Sequence, residues 1–376
     1  MVVIETFLRW LDGAGVSDRA RAANALGRAF LGCRFDSQQS RAAHLAMSHL
    51  LDDPSPRVRL ALAQALASSV DAPRSLVMAL AEDQPEIACT IIAQSPVLSD
   101  EDLVDLVGRG NAMTRAIVAT RTNLAKIVAA ALAEVGGLCE VTLLLENASV
   151  ASSRTWLMRV ASRFGHDADI RRLLLQRQDL PAEARQDLAA KVAQSLVGSD
   201  LVRSVLTGSR LERLSGEAIE AAAVQIAGSV RLAELPSFVE HMRVSGQLTP
   251  ALLIHALCSG KAEFFVAAIA NLSGLDDNRV RSLLANARLH ALRALFEASG
   301  LVREIAMVFV DATMLWRNAG MDETPESICE QLVLISRAKG DQSSTVTRLV
   351  DMVERLQHGQ TRQAARSYAE RLALAA

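Results

Sequence analysis

Apolar residues recur along the first half of the chain with two periods, one short and one long. In residues 52–67, Val58, Ala61, Leu62, Ala65 and Leu66 fall on one face of a helix with about 3.6 residues per turn. A turn containing Asp53, Pro54 and Pro56 precedes them, and a proline at a helix start lacks only an N–H that would have no intrahelical partner. The long period is about 26 residues, within the range of repeated helical units. It aligns Ala61, Ile87 and Met113; Ala65, Ile91, Ile117 and Leu143; Leu66, Ile92, Val118 and Leu144; and Leu80, Leu106, Leu132 and Met158. The turn positions Leu98, Leu124 and Val150 follow the same spacing. A unit of that length holds two short helices, and units that cannot bury an apolar face alone do so by stacking. The repeats are clearest over 57–160.

Helix ends fit this scheme. Ser99 with Asp102 forms a capping-box pattern, and Leu180-Pro181 with Glu183 reads as another helix start. The register is lost from about residue 196, where Gly198, Gly208 and Gly216 interrupt the chain. A second set then appears: residues 264–275 align with 290–301, both ending in Ser-Gly-Leu, and Ile254 aligns with Val280. Glycine there can take the left-handed conformation that ends a helix, with the following leucine packing back onto the last turn. Asn318-Ala319-Gly320 marks a break, Thr324-Pro325-Glu326 starts another helix, and Leu349, Val350, Val353 and Leu356 form the stripe of one or two terminal helices. These signals predict a helical-repeat domain over 1–195, a C-terminal helical domain over 196–320 and a helical tail over 321–376.

The turn aspartate, Val-Arg pair and Ala-x-x-x-Ala-Leu run of residues 52–67 resemble the second helix of a HEAT repeat, although the spacing of units is shorter than usual for HEAT, at about 40. Residues 17–31, 50–67 and 248–275 together resemble a family of uncharacterised alphaproteobacterial proteins, a domain of unknown function with HEAT-like repeats. The resemblance spans most of residues 1–320. It implies an all-α, HEAT-like helical-repeat solenoid and carries over no catalytic or ligand residue.

Composition supports the helical reading. Half of the 376 residues are hydrophobic but only 3% aromatic, with Ala, Leu and Val dominant, a balance that favours helix over strand. The five cysteines, Cys33, Cys89, Cys139, Cys258 and Cys329, have no C-x-x-C spacing and each lies in an apolar stretch, so all read as core residues. The first ten residues lack a basic start followed by an apolar run, and no segment reaches about 18 consecutive apolar residues. The expectation is a cytoplasmic protein without a membrane span.

Candidate chemistry is sparse. Gly108-Arg109-Gly110 lacks the third glycine and preceding strand of a dinucleotide loop and reads as a turn between helices. Gly260-Lys261 has His255 where a phosphate loop needs glycine, and Ser336-x-x-Lys339 lacks its companion motif. His255 and His290 fall in apolar helices and read as core or groove residues; His166-Asp167 reads as a cap. No histidine spacing suits a metal, and no cofactor is expected.

Charge is distributed unevenly. Residues 82–105 carry seven carboxylates and no Lys or Arg, whereas 109–213 carry 15 basic against 10 acidic residues. Within the basic stretch, Arg154, Arg159, Arg163, Arg171, Arg172 and Arg177 form a candidate binding surface for an acidic protein partner. Trp156 and Phe164, at helical spacing with Val160, read as core. Arg57 and Arg59 are expected to pair with turn aspartates such as Asp53. A net charge of −2 argues against a nucleic-acid partner, which usually needs a basic excess. The function these features favour is a non-catalytic scaffold or adaptor, with a nucleic-acid-associated protein or an enzyme with an unrecognised site as alternatives.

Overall fold

In the computed structural model, residues 2–33, 35–320, 323–339 and 343–375 are described. Among them there is no strand, and the fold is all-α. The chain divides into two compact units, residues 1–180 and 181–376.

The first unit contains α1 (Val2–Gly13), α2 (Val16–Gly32), α3 (Ser37–Leu51), α4 (Pro56–Leu66), α5 (Arg74–Ala81), α6 (Pro85–Gln94), α7 (Asp100–Arg109), α8 (Ala112–Ala119), α9 (Lys126–Val135), α10 (Leu138–Glu146), α11 (Arg154–Phe164) and α12 (Ala168–Gln176). Even-numbered helices pack each on the next, from α2 through α12. Odd-numbered helices make a second layer, with α1 on α3, α3 on α5, α7 on α9 and α9 on α11. Helices α5, α7 and α9 begin at Arg74, Asp100 and Lys126, evenly spaced by the long period of the sequence. That period is therefore the repeat of a helix pair.

The aligned columns mark the interior of that stack. Leu66, Ile92, Val118 and Leu144 are all fully buried, as are Leu80 and Leu132, whereas Leu106 and Met158 of the latter column, and Ala65, Ile117 and Leu143 of the column beside Ile91, are half-buried. The turn residues Leu98, Leu124 and Val150 are buried too, closing the pairs from their ends. Each such side chain contributes about 1.5–3 kcal/mol through removal from water. The column through Met113 differs, since that side chain sits in the first turn of the short helix α8 and is 56% exposed. Where α2 meets α4 the approach requires glycine: a Cβ on Gly27 would lie 2.7 Å from that of Ala65.

Caps hold the pairs in phase. Ser99 and Asp102 form the expected capping box at the start of α7, and Asp36 with Gln39 forms another at α3. Asp167 accepts from the amides of Asp169 and Ile170, so it caps α12, with His166 exposed beside it.

The second unit contains α13 (Ala182–Gly198), α14 (Asp200–Val205), α15 (Gly208–Ala227), a 3-10 turn (Leu232–Glu234), α16 (Leu235–Val244), α17 (Pro250–Cys258), α18 (Ala262–Ser273), α19 (Asp277–Asn286), α20 (Leu289–Ala298), α21 (Arg303–Asn318), α22 (Pro325–Ala338) and α23 (Ser344–Ala375). The boundary read near residue 196 falls inside α13, which packs on α15 and α16 of this unit. Loss of register marks where repeats stop, whereas a unit is defined by what its helices touch. The 321–376 segment likewise joins this unit, through contacts of α22 with α21 and of α23 with α17 and α21.

Helix α17 is central. It touches α15, α18, α21, α22 and α23 and buries every residue from Leu252 to Cys258, so it needs no polar face. Beside it Phe265, Phe296 and Phe309 form a triangle with ring centroids 5.5–6.2 Å apart. The two Ser-Gly-Leu ends both place glycine in the left-handed region, at φ 69° for Gly274 and 86° for Gly300. Leu301 completes the expected motif, its amide donating to the Phe296 carbonyl at 3.2 Å. Leu275 remains 39% exposed and does not fold back into the core.

Candidate functional site

The polar side chains of the first unit form a ladder from one helix pair to the next. Arg19 donates to both carboxylate oxygens of Asp53, at 2.8 and 3.1 Å. Arg59 does the same to Asp83, at 2.7 and 3.0 Å, and also donates to the Asp53 carbonyl at 2.6 Å. Arg74 reaches Asp102 at 2.6 Å. Further along, Arg121 donates to the carbonyls of Ile92 and Ser95, and Asn147 to those of Ala119 and Arg121. Asp53 thus has Arg19 as its side-chain partner, while Arg59 bridges to the next turn and Arg57 stays exposed.

Electrostatics follow from this geometry. Burial pushes the Asp83 carboxyl up, but hydrogen bonds from Arg59 and from the Gln84 amide, with the Arg59 charge, outweigh it and hold the group below its ordinary value. Asp53 and Asp102 stand below their ordinary values for the same balance of reasons, with Arg19 and Arg74 as the donors. Burial lowers Arg121, whose guanidinium faces carbonyl oxygens instead of a carboxylate.

The six candidate arginines lie on α11, α12 and the turn after it, and the structure separates them into two groups. Arg163 donates to the Ala133 carbonyl at 2.6 Å, and its guanidinium lies 4.6 Å from the ring centroid of Phe164. Arg171 donates to the carbonyls of Gly165 and His166 at 3.2 and 2.9 Å. Arg177 makes two bonds to Asp179, at 2.9 and 2.7 Å, and covers the indole of Trp156. Those three are built into the stack. Arg154, Arg159 and Arg172 are exposed, with Arg159 on Glu134 at 2.6 Å and Arg172 near Asp169 at 3.7 Å. Trp156 is fully buried as expected, its indole N–H donating to the Ala151 carbonyl.

The acidic stretch borders a recess of about 640 Å³ between α5, α6, α7 and α8. Glu82, Asp83, Asp102 and Asp105 line it against Arg109. Asp83 and Asp102 belong to the ladder, leaving Glu82 and Asp105 as its exposed carboxylates.

Other expected positions resolve individually. Cys258 and Cys329 are buried, whereas Cys33 and Cys139 are exposed. Cys33 follows the last turn of α2 and Cys139 lies in the first turn of α10, where an apolar neighbourhood in sequence does not imply an inward face. His255 is buried on α17, its Nδ1 without a hydrogen-bond partner in the protein, and burial lowers its pKa to about 4. His290 is exposed at the start of α20, so the core reading fails there. Among the described residues no three His, Cys, Asp or Glu side chains converge as a metal set, and no helix is long and apolar enough to cross a membrane.

A family model described as an uncharacterised protein conserved in bacteria (DUF2336) matches residues 87–348. The chain belongs to this family. The matched span runs from α6 into α23 and takes in parts of both units, including the 248–275 stretch; residues 17–31 and 50–67 lie before it. No curated protein and no solved structure matches the chain.

Proposed function

We propose that this family member is a non-catalytic, HEAT-like interaction scaffold that holds an acidic protein partner on the first unit. The observation that supports this most is the repeating two-layer stack from α2 to α12, tied from pair to pair by Arg–Asp bonds. Stacked repeats present extended surfaces while each unit needs only its neighbours for stability. Of the six arginines, Arg154, Arg159 and Arg172 are the solvent-exposed ones, with Arg159 bonded to Glu134, while Arg163, Arg171 and Arg177 turn in against the stack. That division also weighs against a nucleic-acid role, where affinity depends on the number of phosphates neutralised.

The test is affinity capture from the native bacterium followed by direct binding of each purified partner to the full chain. A partner whose binding weakens on Arg159→Glu/Arg172→Glu, but not on Glu82→Lys/Asp105→Lys, supports the reading. Absence of any directly binding protein, or a turnover activity in the pure chain, overturns it.

A further inference from the structure

The second unit contains an apolar pocket that the scaffold reading does not use. It lies between the end of α17, the Gly260 turn and helices α18, α19 and α21, with a volume of about 330 Å³. That falls at the lower end of the roughly 300–1,000 Å³ of small-molecule sites, while close-packed interiors ordinarily leave few voids larger than a water. Phe265 and Trp316 supply aromatic walls, and Leu257, Val266 and Leu284 supply aliphatic ones.

The polar side chains at its edge are already engaged. Trp316 donates its indole N–H to the Leu257 carbonyl at 3.0 Å, and Thr313 donates to the Phe309 carbonyl at 2.8 Å. Arg317 donates to the carbonyls of Leu283, Leu284 and Ala287, closing the C-terminal end of α19. Arg281 is held by Glu263 at 3.0 and 2.6 Å and by Asp277 at 3.4 Å. The Arg281 guanidinium is thus matched by two carboxylates, while that of Arg317 is spent on three backbone carbonyls. Water bound in such a space would find few partners, since ordered buried water needs two to four. A charged ligand would likewise lose hydration and meet polar groups whose hydrogen bonds are already made within the protein.

We propose that this pocket binds a small uncharged ligand with an aromatic or branched apolar body, independently of any partner on the first unit. Phe265 and Trp316 contact its rings or branches, and the Ala262 and Ala285 side chains form part of the entrance, small enough to leave it open.

The test is fluorescence titration of the full chain with N-phenyl-1-naphthylamine, an uncharged apolar probe. Saturable binding of one probe per chain is expected, insensitive to salt. Ala262→Leu/Ala285→Leu, at exposed helix positions, should weaken binding at least ten-fold, while Leu232→Ala, at an exposed apolar residue elsewhere in the unit, leaves it unchanged. If the double variant loses its helical circular dichroism signal, either single substitution carries the same comparison. Non-saturable binding, equal binding by the blocked variants, an equal loss in Leu232→Ala, or tighter binding of the anionic 1-anilinonaphthalene-8-sulfonate each overturns the proposal.

Discussion

Arg59 holds the carboxylate of Asp83, 24 residues away, through two hydrogen bonds of 2.7 and 3.0 Å. The same guanidinium donates to the carbonyl of Asp53, whose carboxylate is held in turn by Arg19. A bidentate pair fixes orientation as well as distance, so the phase of one helix pair is transmitted to the next by side chains as well as by packing.

Breaking that link should therefore cost more than removing an ordinary surface pair. Both side chains are largely buried, at 12% and 15% exposure. Arg59→Ala should destabilise the first unit by about 1.5–3 kcal/mol, the range for hydrogen bonds to charged groups. Urea unfolding followed by circular dichroism checks this, with the exposed Arg57→Ala as the comparison, expected within about 0.5 kcal/mol of the parent. The same pair predicts acid sensitivity. Asp83 lies below its ordinary value of 3.8 in the folded state, so the unfolded chain takes up the proton first as pH falls. The contribution is present above pH 3.8 and is lost as pH drops through the folded value; Asp83→Asn should flatten that part of the profile.

His255 predicts a second, separate window. Burial lowers its pKa from 6.5 to about 4. The unfolded chain therefore binds a proton that the folded chain refuses between those values, and stability falls as pH falls from 6.5 toward 4. A difference of that size corresponds to about 3 kcal/mol. His255→Leu should remove this slope while leaving the decline below pH 4 in place. Equal slopes for parent and variant in that window would show that His255 is not buried in its neutral form.

Packing at the repeat columns gives a third expectation. Ile92 is fully buried between neighbouring pairs, aligned with Leu66 and Val118. Ile92→Ala should cost about 2–5 kcal/mol through lost contact and a residual cavity. Met113→Ala, at an exposed aligned position, should cost less than about 1 kcal/mol. Chemical denaturation of the two variants separates an interior column from one that reaches the surface.

The columns were legible because the same face must turn inward in every repeat, and a mistake of one position would move Leu66, Ile92 and Val118 outward together. The ladder was only partly legible. The sequence points Arg59 to a turn aspartate such as Asp53, and the structure supplies the one on the next turn, Asp83; which turn it is depends on how the pairs stack, and no local pattern encodes that. Arg163, Arg171 and Arg317 donate to backbone carbonyls, which every residue possesses, so their partners leave no mark in the sequence. The pocket between α17 and α21 is assembled from residues 257–317 that share no motif.

Thiol chemistry should sort the five cysteines by the same contrast between sequence and fold. Cys33 and Cys139 are exposed, while Cys258 and Cys329 are buried, with the Cys329 thiol 3.7 Å from the Cys258 carbonyl. Contact with Cys329 and burial push the Cys258 thiol well above its ordinary value, and the thiolate is the reactive form. Labelling the native chain with an aromatic disulfide reagent should release two fast equivalents, with Cys89 slower and the buried pair reacting only on unfolding. Fast release of four or five equivalents would show that the second unit opens readily around α17 and α22.

The final prediction concerns the basic face. Arg159 and Arg172 are 44% and 58% exposed, and their ion pairs, with Glu134 on α9 and with Asp169 on the same helix, lie in solvent, so reversing both charges should change the melting curve little, since exposed pairs contribute under about 1 kcal/mol each. Reversal should instead slow association with an acidic partner and reduce its salt dependence, because long-range attraction governs encounter and is screened over about 8–10 Å. Arg163→Glu should behave differently: its guanidinium serves the Ala133 carbonyl, so this change should destabilise the stack as well as alter its surface. Measuring partner association and thermal unfolding on both variants distinguishes a recognition surface from a structural one. A mixed-sequence DNA duplex should give no gel shift at moderate salt. Micromolar binding of that duplex, lost on Arg159→Glu/Arg172→Glu, would assign these arginines to nucleic acid in place of protein.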